Sequence, residues 1–274
     1  MDDISYTAQW TAAARCLETE RGGGGLFEDT HARELAGPRG FELLERYQGA
    51  GVAEYIAIRT RYMDDAVSTV LAGDPIDQVV LVACGMDTRS YRLRWPDRVT
   101  VYELDHSALL AEKHARLDRL QASAAVDVVE VGADLADDWL PALRGHGFDS
   151  SKPGLWVAEG LLFFLTEDQA GALLDTMAAA SARGSRLTVD LTSATLLRHP
   201  LTQGFLGALR ADGTPWRFGT DDPITFLRDH GWAVEDLKQP GEPGAGEGRW
   251  PYGVYPAEVS GVPRNWLVGA TVQP

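Results

Sequence analysis

Apolar residues fall into two alternating patterns along the chain. Continuous runs rich in Val and Leu occupy 78–83, 99–104, 126–131, 154–158 and 186–191. Between most of them the apolar residues recur at helical spacing. In 106–121, Leu109, Leu110, Leu117 and Leu120 share a stripe with Lys113, whose ammonium is expected to snorkel to solvent. In 167–182, Thr166 and Gln169 precede the stripe in capping-box spacing. Runs without alternation suit strands buried on both faces, and strands separated by helices require the long crossovers of a parallel sheet.

The flanks extend this pattern. Almost eighty residues of helical character come first, including 7–20 and 52–71, and read as a cap. After the fifth run, 194–211 predicts a helix broken at His199-Pro200 and suited to a lid. Asp221-Asp222-Pro223 predicts a helix start and Gly231 its end, followed by strands at 232–237 and 266–272. The segment 239–264, rich in Pro and Gly around Trp250, Tyr252 and Tyr255, reads either as a surface loop or as a flap near a substrate. The expected organisation is one α/β domain, with a helical cap at 1–75, a cofactor-binding core at 76–192, and a lid with the last strands at 193–274.

Composition narrows the function. The chain has 274 residues, 25 Lys plus Arg against 40 Asp plus Glu, and a net charge of −15, which argues against a nucleic-acid partner. An acidic start, Met-Asp-Asp-Ile-Ser-Tyr, and the lack of a long apolar run lead to the expectation of a cytoplasmic protein without membrane attachment. Cys16 and Cys84 sit in no paired motif and are expected to be free thiols, with no metal site.

The candidate chemistry lies where the first run ends in Ala83-Cys84-Gly85-Met86-Asp87-Thr88-Arg89 and the second in Glu103-Leu104-Asp105. A small-residue turn lets backbone approach a ligand, and an acidic residue closing the next strand can accept ribose hydroxyls. The turn lacks the G-x-G-x-x-G pattern and puts Asp87 where a pyrophosphate would sit. A nucleoside without phosphates, such as S-adenosylmethionine, therefore fits better than a dinucleotide. Glu159, closing an apolar run, and Arg59 have the residue types needed for the ammonium and carboxylate of an amino acid. Asp134 also reads as a cap for a helix starting near Asp137, and Arg89 either as a contact for an acidic substrate or as an ion-pair partner. Each of the six histidines is solitary, and His199 in the lid is the one nearest a chemical role.

These residues resemble the leucine carboxyl methyltransferase family, especially its bacterial small-molecule O-methyltransferase branch. The resemblance is carried in order by Ala13–Glu18 (AARCLE), Ile58–Asp65 (IRTRYMDD), the Gly85–Arg89 turn with Tyr91-Arg92-Leu93, Glu103-Leu104-Asp105, Asp134-Leu135 and Ala158–Leu162 (AEGLL). It implies a Rossmann-like methyltransferase fold with a mostly parallel seven-stranded sheet, and S-adenosyl-L-methionine as cofactor. It further implies that Arg59, with Arg15, meets the methionyl carboxylate and that Asp105 binds the ribose. Asp134 and Leu135 would flank the adenine, Glu159 would lie beside the amino group, and Gly85 would floor the turn. Ala83 stands where the family usually has glycine, and its methyl group is accommodated provided the backbone there avoids positive φ. The implied reaction is methylation of a carboxylate or phenolic oxygen of a small, polyketide-like secondary metabolite, an acceptor that aromatic residues such as Trp216, Trp232, Trp250 and Trp266 would suit. Two other readings stay open at this point: a family member that has lost methyl transfer and serves as a non-redox catalyst or partner-binding module, and an NAD-dependent oxidoreductase.

Overall fold

The computed structural model describes residues 3–273, with side chains from residue 7 onward; Met1, Asp2 and Pro274 lie outside. Three helices, α1 (Asp3–Thr19), α2 (Ala32–Arg46) and α3 (Val52–Gly73), precede the sheet. The α2 helix is broken at Gly37, before Pro38, because proline disfavours helical backbone in the residue that precedes it. The strands are β1 (Gln78–Val82), β2 (Thr100–Asp105), β3 (Asp127–Gly132), β4 (Leu155–Ala158), β5 (Arg186–Thr192), β6 (Trp232–Lys238) and β7 (Asn265–Val272). The helices among them are α4 (Arg89–Arg92), α5 (Ser107–Arg119), α6 (Leu140–Gly145), α7 (Glu167–Ala179), α8 (Ala194–Arg198), α9 (Gln203–Ala211) and α10 (Pro223–Asp229).

The sheet order is β3-β2-β1-β4-β5-β7-β6, parallel except for β7, which runs antiparallel to both neighbours. Sequence order reverses direction between β1 and β4, and the carboxyl ends of strands at such a switch point form a ligand crevice. Residues of β1, β4 and β5 are buried on both faces, as their unbroken apolar runs require. Strand β3 departs from that expectation: it is an edge, and Asp127 and Glu130 face solvent there, which discourages pairing with another chain.

Local signals hold at several element ends. The reciprocal Thr166 and Gln169 capping box opens α7, and Asp222 caps α10 with Pro223 at its first position. The break at His199-Pro200 separates α8 from a short 3-10 turn and α9. The expectation for Lys113 is corrected. Its side chain is fully buried, with the ammonium 2.7 Å from Glu103 of β2, also fully buried, so it is held inward by a charge partner instead of reaching solvent. No helix of the described residues is long and apolar enough to cross a membrane.

The segment after β6 is a surface loop tied down at its base. Gly246 lies against Ile58, Arg249 pairs with Glu18 of α1 at 2.8 Å, and residues 251–261 are exposed. No residue of this loop lines the main cavity described below, so the flap reading is not what the fold shows. Of the four tryptophans singled out, Trp232 and Trp266 are core and Trp250 belongs to this loop; Trp216 lines the cavity.

Candidate active site

A cavity of about 560 Å³ opens over the carboxyl ends of β1, β2 and β4 and the amino end of antiparallel β7, under α1, α3 and the α8–α9 segment. Its floor begins at the turn after β1. Gly85 adopts φ +51°, and a Cβ there would stand 2.9 Å from the Cβ of Ala8. Its N–H donates to Asp105 Oδ2 at 2.7 Å, while the His106 N–H donates to Oδ1 at 2.7 Å. Burial raises the pKa of Asp105 despite these two donors. A buried carboxylate that is costly to ionise, set on the cavity wall, suits a residue that gains further partners from a ligand.

Ala83 is the departure in this turn. Its φ is +52°, so the condition for accommodating its methyl group is not met. Left-handed backbone costs a non-glycine residue roughly 1–2 kcal/mol, whereas glycine costs about 0.4–1 kcal/mol in unfolded-chain entropy. Ala83→Gly is therefore expected to stabilise the fold by about 0.5–1 kcal/mol and raise the melting temperature by about 1–3 °C. A calorimetric scan showing a lower melting temperature would contradict this account of the strain.

On the β4 side, Arg59 and Glu159 are brought together. Arg59 Nε donates to Glu159 Oε1 at 2.9 Å, and Nη1 to Asp190 Oδ2 at 3.1 Å. Nη2 has no protein partner among the described residues. Tyr55 Oη and the Gly160 N–H also donate to Asp190, at 2.7 and 2.6 Å, so this fully buried carboxylate anchors three groups of the site. Gly160 has φ +70°, and a Cβ there would meet the Arg59 guanidinium at 3.1 Å. Arg89 resolves to ion pairing: it is buried and donates to Asp64, Asp87 and Glu159. Arg92 completes Asp64, and Arg15 pairs with Asp29 at 2.9 Å while reaching the Met86 carbonyl.

This network sets four guanidinium groups (Arg15, Arg59, Arg89, Arg92) against five carboxylates (Asp29, Asp64, Asp87, Glu159, Asp190), one negative charge in excess. S-adenosylmethionine carries a carboxylate, an ammonium and a sulfonium, one positive charge in excess, so the donor set fits it. A dinucleotide would bring phosphate charge to Asp87, which already caps the Arg89 N–H at 2.7 Å.

Asp134 and Leu135 lie on the cavity wall beyond β3, Asp134 exposed and Leu135 half-buried. Asp134 does not cap a helix. Its Oδ1 accepts the Ala136 N–H at 2.8 Å and shapes its own turn, and α6 begins only at Leu140. His106 is the histidine on the wall, at the Asp105 end. His199 caps the 3-10 turn and does not line the cavity. Burial pushes the Cys84 thiol well above its usual pKa and Cys16 to about 11, so neither is a thiolate nucleophile.

Burial alone would raise the pKa of Glu159, but Arg89 and Arg59 overcome it and hold the carboxyl down at about 2. Lys113, with His114 and Ser90, does the same for Glu103, also to about 2. Carboxyls lower in the folded than the unfolded chain contribute stability that is present above the unfolded value and lost as pH falls through the folded one. Thermal unfolding is thus expected to vary little between about pH 7 and 5, then to fall steeply between about pH 4.5 and 2. A flat profile through that lower window would contradict these assignments.

Comparison with known proteins gives the family. The profile described as leucine carboxyl methyltransferase matches residues 8–178. The chain belongs to the leucine carboxyl methyltransferase family. Proteins named as S-adenosyl-L-methionine-dependent methyltransferases are similar to it. One from Mycobacteroides abscessus is 34% identical, over 97% of this chain and 93% of that protein. Another from Streptomyces avermitilis is 34% identical, over 84% and 83%. Among solved structures, a DUF574 family protein from Streptomyces avermitilis shares the fold with a TM-score of 0.67 at 17% identity, covering 98% of this chain and 97% of its own. Magnesium protoporphyrin IX methyltransferase from Synechocystis, solved with S-adenosylhomocysteine bound, does so with a TM-score of 0.50 at 16% identity, covering 89% and 99%. This leucine carboxyl methyltransferase family member is an S-adenosyl-L-methionine-dependent methyltransferase with a Rossmann-like fold.

The site also contains residues that sequence reading passed over. Asp190, Asp64 and Asp29 hold the arginines in place, and Tyr55 donates to Asp190. Asp190 carried a signal like the one that marked Glu159 at the end of its run: a carboxylate within an apolar strand run.

Proposed function

We propose that this enzyme methylates a carboxylate or phenolic oxygen of a small, polyketide-like secondary metabolite in the cytoplasm. It would work as a single domain with the cap, core and lid divisions given above. In this reading the free Nη2 of Arg59 and the nearby Arg15 receive the cofactor carboxylate, and Glu159 receives the ammonium. Asp105 takes the ribose hydroxyls, Asp134 and Leu135 flank the adenine, and Gly85 gives the backbone its close approach.

When bound, S-adenosyl-L-methionine supplies an activated methyl group, whose C–S bond breaks onto sulfur as an acceptor oxygen forms the new C–O bond, leaving S-adenosylhomocysteine. The protein's own contribution is alignment and exclusion of water. The observation that carries the oxygen-acceptor reading is the remainder of the cavity: past Glu159 its wall is built around the aromatic residues Phe163, Phe205 and Trp216 with Arg217 beside them, and His106 stands at the opposite, Asp105 end. Such a chamber suits an acceptor that is already nucleophilic, as an ionised carboxylate is.

The test supplies methyl-labelled S-adenosyl-L-methionine with a panel of small aromatic acids and phenols. Label is expected in the small-molecule fraction, as an alkali-labile ester or an alkali-stable aryl ether. Label found on a nitrogen, a carbon or a protein would overturn the proposal.

A further inference from the structure

Five arginines line the cavity, and four of them belong to the ion-pair network around Glu159. The fifth, Arg217, differs. Among the described residues its guanidinium meets no carboxylate and no carbonyl, although its backbone is firmly placed: its N–H donates to the Phe163 carbonyl at 2.6 Å. The preceding residue, Trp216, lies over Phe163 with ring centroids 4.0 Å apart and planes inclined by 33°, and it meets Phe205 edge-on at 5.2 Å. Phe163 is four residues beyond Glu159. A cation with no carboxylate partner among the described residues thus stands at an exposed point of the cavity wall, on backbone held next to an aromatic stack.

The sheet order says which part of the ligand space this is. Asp105 ends β2, the Gly85 turn follows β1, Glu159 follows β4, and Asn265, also on the wall, opens β7. With ribose at β2 and the amino-acid end at β1 and β4, Arg217 and Trp216 fall on the far side, where the acceptor must enter.

We propose that Arg217 is the acceptor-recognising residue and that the acceptor is a planar aromatic anion, its ring against Trp216 and its negative group on the Arg217 guanidinium. This rests on the proposed function and names its substrate class. A guanidinium recognises a carboxylate by its fork as well as its charge, and an aromatic face stacks on a flat ring. The overall charge of −15 makes a local cation the means of retaining an anion in this protein.

The experiment uses the full chain saturated with S-adenosylhomocysteine and reads tryptophan fluorescence and calorimetric heat on addition of 2-naphthoate or its uncharged amide, 2-naphthamide. Wild type is expected to bind the naphthoate about ten-fold more tightly than the amide, and Arg217→Gln to abolish that preference while leaving amide binding unchanged. Arg217→Lys restores part of it, because charge returns without the fork. Equal binding of the two probes by wild type, no binding of either at about 1 mM, or an Arg217→Gln variant that keeps its preference would each overturn the proposal. Titration of the same variant with S-adenosylhomocysteine is expected to match wild type. If wild type itself fails to bind S-adenosylhomocysteine, the proposed function fails instead, and the naphthoate preference measured without it still decides the role of Arg217.

Discussion

Arg59→Met is expected to cost about 3–5 kcal/mol of stability, because it strips a guanidinium from two carboxylates that have little or no access to water. Asp190 would keep only Tyr55 Oη and the Gly160 N–H, and Glu159 would rely on Arg89 and Thr60. Folded domains have about 5–15 kcal/mol in total, so the loss is a large fraction, and the melting temperature should drop by about 6–20 °C. Arg59→Lys separates the two roles assigned to this residue. It keeps a positive charge beside Asp190 and Glu159, so much of the fold's stability returns, but it lacks the spare Nη2 and should bind S-adenosyl-L-methionine at least about ten-fold more weakly. Thermal scans and calorimetric titrations on both variants check this; a lysine variant with undiminished affinity would remove Arg59 from the cofactor's carboxylate.

The second large effect concerns affinity. Asp105→Asn should weaken S-adenosyl-L-methionine about 100-fold, since charge-assisted hydrogen bonds contribute about 1.5–3 kcal/mol each and the amide replaces one acceptor oxygen and removes the charge. Stability should stay about equal. Burial raises the pKa of Asp105, so its ionised form is less favourable in the folded chain than in the unfolded one at neutral pH, and a neutral isostere removes that penalty. The asparagine oxygen can still accept the Gly85 N–H, but its Nδ2 then faces the His106 N–H, donor to donor, and the lost hydrogen bond offsets that gain. Lost stability with intact affinity would assign Asp105 to the turn and not to the ribose.

How much of this was legible in the sequence depends on how local the cause is. The seven strands were, because each is a short apolar run bounded by turn residues, and sheet composition follows from alternation with helices. The position of β3 at the edge was not read, although Asp127 and Glu130, set among its valines, carried the signal of a solvent-facing side. Lys113 read as a member of the stripe whose ammonium snorkels to solvent, because its partner, Glu103, is on another element and only the fold brings ammonium and carboxylate to 2.7 Å. Ala83 was recognised as the odd residue of its turn, but its positive φ is set by how the chain leaves β1 toward Gly85, which no composition reveals.

The site shows the same division. Arg59, Asp105 and Glu159 stood out by charge type at strand ends or in motifs, and Gly85 by its place in the turn. Their support did not stand out, since Asp190, Tyr55 and Asp64 act through contacts 25 to 135 residues away in sequence. Arg217 has no motif at all. What distinguishes it is the absence of a partner among the described residues at a wall where every other arginine has one, a property of three-dimensional neighbours alone.

The central claim is that the turn after β1, Asp105 and the Arg59–Glu159 pair together form a site for S-adenosyl-L-methionine. Calorimetric titration of the whole chain with S-adenosyl-L-methionine and, separately, with NAD tests it most directly. The account predicts one equivalent of S-adenosyl-L-methionine bound with a dissociation constant on the order of 1 μM, about −8 kcal/mol, and no measurable heat with NAD. Binding of NAD with no binding of S-adenosyl-L-methionine would contradict it.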